Sequence, residues 1–164
     1  MSAYYVTVTI HIFAALLWLG GMFFLAAVGA PVLRRIEPPA LRAELFRALG
    51  LAFRKAGWIA IAVLVVTGVL NLHFRGMLSG AVWSDGAFWA GTYGRSLAVK
   101  LVTVVLMIGL SAIHDFAVGP AAARAQPGTP RAAQLRRWSA WIARANALLG
   151  IVLVVAAVRL ARGG

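Results

Sequence analysis

Four apolar runs, each close to the thickness of a bilayer's hydrocarbon core, constrain this chain more than anything else in it: Tyr4 to Val32, Trp58 to Phe74, Ser96 to Phe116 and Trp141 to Val158. A helix rises ~1.5 Å per residue and the core is ~30 Å thick, so ~20 apolar residues span it. The second run reaches that length only with its flanks. In lipid, backbone N–H and C=O groups have to be satisfied within the segment itself, which leaves helices as the fold for such runs. The composition agrees: 62% of the residues are hydrophobic and mean hydropathy is +0.88, more apolar surface than a soluble domain of 164 residues hides. The expected fold is all-α: a polytopic membrane protein forming one domain over residues 1–164, with four transmembrane helices (about 4–32, 57–74, 96–116 and 140–160) in an up-down bundle. Gly20, Gly21, Gly68, Gly109 and Gly150 are the expected points of close helix approach.

The connections set the expected orientation. The first holds Arg34, Arg35, Arg42, Arg47, Arg54 and Lys55, and the third holds Arg124, Arg131, Arg136 and Arg137. The second holds Arg75 and Arg95, and the C-terminus Arg159 and Arg162. The positive-inside rule puts the first and third connections in the cytoplasm and both termini on the outer side, which for a multi-pass protein of a bacterial inner membrane is the periplasm. A net charge of +12 on a soluble chain would suggest nucleic acid. Here the basic residues lie between apolar runs, so the expected partner is the lipid bilayer with its anionic headgroups, and not nucleic acid. Val28-Gly29-Ala30 resembles a signal cleavage site, but the first run lacks a basic leader and is too long for a signal core, so it reads as a retained helix. Pro38-Pro39 ends the first helix, after which Ala40 to Ala56 has helix-forming composition and is expected either to lie on the inner surface or to extend the second helix. The second connection, at about twenty residues, is long enough to cover the outer end, and Gln126-Pro127-Gly128-Thr129-Pro130 reads as a turn.

The polar residues inside the runs point to function, because ionisable groups in hydrocarbon are costly and need a partner. Lys100, Met107, Ser111 and His114 fall on nearly one face of the third helix. Counted inward from the helix ends, His11, His73 and Lys100 lie at the outer level, and Met22, His114 and Arg144 at the inner one. His11 shares a stripe with Thr7, Trp18 and Met22 and is expected to face the interior; Thr67 and Asn71 lie one turn apart on the second helix, and Asn146 near the inner end of the fourth. His11, His73, His114 and Met22 are the candidate metal ligands, and His11, His73 and Lys100 the candidate cofactor-binding residues. The plainer reading of His114, beside Asp115 at the inner boundary, is structural, and that of Met22 and Met107 is packing. The chain has no cysteine, which excludes disulfides, thiolate metal sites and thioether-linked haem. With only Glu37, Glu44, Asp85 and Asp115 as acids, no serine-histidine-acid set is expected within the membrane.

The segments Phe53-Arg54-Lys55-Ala56-Gly57, Val66-Thr67-Gly68-Val69-Leu70-Asn71 and Thr92-Tyr93-Gly94-Arg95-Ser96-Leu97-Ala98-Val99-Lys100-Leu101 resemble the copper-resistance D (CopD) domain. His11 with Trp18-Leu19-Gly20-Gly21 is similar to the helix that precedes that domain, so the resemblance runs from about Ile10 to His114. It implies an inner-membrane protein that binds or transports copper, an ion for which imidazole and thioether are suitable donors. His11 on the first helix and Lys100 on the third also resemble the HemJ-type four-helix protoporphyrinogen oxidases, which implies haem b with imidazoles as axial ligands and a cation at the propionates. Copper and haem b are thus the two cofactors in view. A periplasmic metal or electron-transfer protein is the expected partner, with homo-oligomerisation as a further expectation.

Overall fold

The computed structural model describes residues 2–126 and 128–163, and they are helical with no strand among them. The elements are α1 (Ala3–Leu33), α2 (Pro39–Phe74), α3 (Gly80–Ser84), α4 (Gly86–Ala90), α5 (Thr92–Arg124) and α6 (Pro130–Ala161). Of these α1, α2, α5 and α6 are each long and apolar enough to cross a membrane. The segment after Pro38-Pro39 is not a separate surface helix. It continues into the second apolar run, making α2 a single rod of 36 residues.

Local chemistry explains where the helices start and stop. Proline opens both α2 and α6 at the first position, where a missing N–H costs nothing. Thr129 caps α6, its Oγ1 accepting from the Ala132 N–H at 3.2 Å. At the end of α2, Gly76 takes φ +68°, its N–H donates to the His73 carbonyl, and the Met77 N–H reaches back to Leu72, both at 2.9 Å. That pair of bonds is the Schellman motif, and its left-handed position favours glycine. The third connection turns at Gly128 (φ +83°), with the Thr129 N–H donating to the Gln126 carbonyl; Pro127 of the expected turn lies outside the described residues.

The chain divides into two compact units, one through Val82 and one from Trp83. In the first, α1 and α2 run antiparallel. His11 lies against Gly68, Trp18 against Gly57, and the Phe53 ring fills the notch at Gly21, where a Cβ would collide with it. In the second, α5 and α6 run antiparallel, with Met107 fully buried and Leu97, Ile142 and Leu153 also buried at other levels. Among the expected close approaches, Gly21 and Gly68 are contacts. At Gly20 and Gly109 an added Cβ would meet nothing within 4 Å, so the small side chain there serves no packing contact.

The exterior is apolar where that of a soluble protein would be polar. Thr7, Thr67, Ser96, Thr103 and Asn146 are buried, whereas Phe13, Val105 and Leu148 each expose about two-thirds of their surface. Small and polar residues between helices with aliphatic residues outside is the packing that lipid selects. The helix ladder widens to π geometry at Leu16–Gly20, Leu25–Gly29 and Ile113–Val118.

The second connection is a folded element. Asp85 caps α4 by accepting from the Ala87 N–H at 2.8 Å, and Trp89 Nε1 donates to the Trp83 carbonyl at 3.0 Å. Trp83 and Phe88 meet the Trp89 ring edge-on, at centroid distances of 5.3 and 5.1 Å. The α4 backbone at Phe88 rests on Gly94 in the first turn of α5, so closely that any Cβ at Gly94 would strike the Phe88 carbonyl.

Candidate metal site

In the first unit His11 Nδ1 lies 2.8 Å from Thr67 Oγ1. A hydroxyl has one hydrogen, and Thr67 Oγ1 is 2.6 Å from the Val63 carbonyl oxygen, a separation two oxygens reach with that hydrogen between them. Oγ1 therefore accepts from His11, and Nδ1 carries the ring proton. This tautomer, assigned from the hydrogen-bond geometry, puts the basic lone pair on Nε2, as in metal-binding histidines whose other nitrogen is tied to a second residue. One turn along α2 from Thr67, on the same face, Asn71 Oδ1 is buried without a hydrogen-bond partner. The His11 imidazole is a donor type that copper accepts.

The other candidates are placed differently. His73 is exposed near the end of α2, about 9 Å beyond Thr67 along the helix axis. Its ring meets Phe74 at 5.8 Å. At this same end Arg75 Nε donates to the Tyr4 hydroxyl at 3.0 Å, tying the start of α1 to the end of α2. Met22 is half-buried, three turns or about 16 Å along α1 from His11, too far for both to bind one ion. Lys100 belongs to the second unit, half-buried on α5 between the buried residues Leu97 and Thr103. Among the described residues no group of three or more His, Asp or Glu side chains is arranged to hold a metal ion.

His114 is held in the second unit by bonds at both nitrogens. Nδ1 donates to Asp115 Oδ1 at 2.9 Å, and Nε2 lies 2.8 Å from Ser139 Oγ on α6. Ser139, His114 and Asp115 thus form a hydrogen-bonded chain at the level where the sequence places the inner boundary, a grouping that spacing did not reveal. The reason is the π turn over Ile113–Val118, which rotates consecutive side chains through a smaller angle and lets neighbours His114 and Asp115 share one side. Ser139 itself lies within the regular ladder of α6, where backbone N–H groups are committed to the helix and none is turned out to stabilise an oxyanion. The chain is a clasp between helices, and His114 could bind a metal through Nε2 only by releasing Ser139. One turn away Asn146 Nδ2 donates to Ser111 Oγ at 3.0 Å, while Asn146 Oδ1 is buried without a partner.

Haem b does not fit the first unit. Axial ligation from α1 and α2 needs a macrocycle's width between the helices, and the His11 ring lies directly on α2, with Cε1 3.5 Å from where a Cβ on Gly68 would sit.

With this geometry in place, comparison with known proteins is informative. The sequence profile of copper resistance protein D matches residues 46–160. The chain belongs to the copper resistance protein D family. The match to this family takes in α6, which the expected resemblance left out, and starts after α1. The copper resistance protein D of Pseudomonas syringae pv. tomato is 30% identical over 149 residues, covering 88% of this chain and 45% of that relative, so this chain spans less than half of its length. An uncharacterized protein of Aquifex aeolicus (strain VF5) is 28% identical over 155 residues, 94% of this chain and 92% of that one. No solved structure matches. Several motif residues shared with the CopD domain are packing residues here: Phe53 against Gly21, Gly57 against Trp18, Gly68 against His11, and Gly94 beneath Phe88.

Proposed function

We propose that this protein binds copper within a bacterial inner membrane and passes it across, with His11 Nε2 as the principal donor. The observation that supports the reading is the His11–Thr67 bond, which places the ring proton on Nδ1 and the basic lone pair on Nε2. Family membership supplies the metal. Asn71 Oδ1 is the second donor we assign, since a buried carbonyl oxygen without a hydrogen-bond donor gains from a cation. His73, at the exposed end of α2, is a capture ligand on the way in, and Met22 is a thioether donor further along α1. The connections rich in arginine lie in the cytoplasm and both termini in the periplasm, so that copper meets His73 and His11 from the periplasmic side. A periplasmic metal-carrying protein is the natural donor.

The test is elemental analysis of the purified protein after copper loading, together with its optical spectrum. About one copper per chain and no Soret band are expected. His11→Ala should lose the metal, while His114→Ala keeps it. A Soret band, or copper retained at full stoichiometry by the His11 variant, would overturn the proposal.

A further inference from the structure

Along α6, residues 134, 137, 138, 141 and 144 recur at steps of three and four and so occupy one side of the helix. Gln134, Arg137, Trp138 and Trp141 line a groove of about 470 Å³. Trp138 is 58% exposed and Trp141 66%. Arg144, also exposed, carries its guanidinium 5.5 Å from the Trp141 ring centroid. A cation at that distance over an indole is held in place by the ring's quadrupole.

Three observations together select a ligand. The first is charge: α6 contains no acidic residue, and the nearest acid of the packed partner helix, Asp115, is hydrogen-bonded to His114. The second is position, since the stripe sits where α6 changes from its arginine-rich first turns to its aliphatic run. Beyond Arg144 the same side continues as Leu148, Ile151 and Val155, each at least half exposed. The third is side-chain chemistry: guanidinium binds phosphate oxygens in a fork, and tryptophan has an apolar body with one polar tip. A ligand that matches all three has an anionic phosphate at one end and a long aliphatic tail at the other.

We propose that this side of α6 is a binding site for one anionic phospholipid, with the headgroup phosphate between Arg137 and Arg144, the glycerol region against Trp138 and Trp141, and an acyl chain along Leu148, Ile151 and Val155. Nucleic acid and acidic peptides match the arginines but not the aliphatic continuation. A second copy of the chain related by a two-fold axis would set arginine against arginine. The site is independent of copper, and nothing in the copper reading is needed for it.

The experiment uses the full-length protein in detergent with phosphatidylglycerol and phosphatidylethanolamine of the same acyl composition, read by native mass spectrometry. Phosphatidylglycerol should be retained about tenfold more than phosphatidylethanolamine. Arg137→Gln with Arg144→Gln should remove that preference, whereas Arg124→Gln with Arg131→Gln, at the same end of the unit, should leave it. Should the first pair fail to fold, the unmodified protein still decides the question. Phosphatidylglycerol brominated on its acyl chains should quench tryptophan emission more than brominated phosphatidylethanolamine, and Trp138→Phe with Trp141→Phe should abolish the difference. Equal retention or equal quenching by the two lipids, an unchanged preference in the Arg137/Arg144 variant, or a dimer that shields Trp138 and Trp141 would each overturn the proposal.

Discussion

A threonine hydroxyl has a single hydrogen to give, and in Thr67 it goes to Val63, which obliges His11 to supply the proton of their shared bond. Removing the hydroxyl removes that obligation. Thr67→Val should therefore free the His11 ring to rotate and change tautomer, weakening copper binding roughly 10- to 100-fold, the usual cost of losing the partner of a metal-binding histidine. Thr67→Ser should retain the affinity, and a copper titration of the two variants separates them. Part of this was readable beforehand. His11, Thr67 and Asn71 stand out as polar residues in apolar runs, and the stripe on helix one turns His11 inward. Which nitrogen carries the proton depends on a distance across two helices, and no spacing in the chain contains it. Ser139 was overlooked for a similar reason: it is 25 residues from His114, and only the antiparallel register across the third connection brings them together. Ser139→Ala should cost the second unit about 1 kcal/mol, the usual worth of one hydrogen bond, with thermal unfolding in detergent as the measurement.

Among the helices, glycine marks contact in some places and not in others. At Gly94 an added methyl would meet the carbonyl and backbone of Phe88, atoms that cannot swing aside, so Gly94→Ala should destabilise by ~3 kcal/mol, at the upper end for overpacking. At Gly21 the obstacle is the Phe53 ring, which can turn away, and the cost should be smaller. Gly109→Ala meets nothing and should raise stability by up to ~1 kcal/mol through helix propensity. The unfolding midpoints of the three variants should fall in that order. Sequence spacing could not rank these glycines, because what each one touches depends on helix rotation. The existence of four apolar helices, by contrast, followed from run length alone, while for Ala40 to Ala56 the sequence left surface helix and extension of α2 as alternatives, because a polar face fits both.

For the molecule as a whole, the asymmetry of arginine and lysine between connections sets orientation, and the chain offers a clean way to measure it because it contains no cysteine. A cysteine placed at Ser2 should react with a membrane-impermeant maleimide in intact spheroplasts, and one at Gly128 only after permeabilisation; the opposite pattern would invert the assigned sides. The division at Val82 into two antiparallel pairs was not legible in composition, because each of the four runs looks much like the others. The length of α2 has a geometric consequence. Its 36 residues make a rod of about 54 Å, against a hydrocarbon core of ~30 Å, so α2 is longer than the core needs, and the excess carries Arg42, Arg47 and Arg54. That basic segment and Thr67 belong to one unbroken helix, so the arginines and the hydroxyl that accepts from His11 share a single backbone.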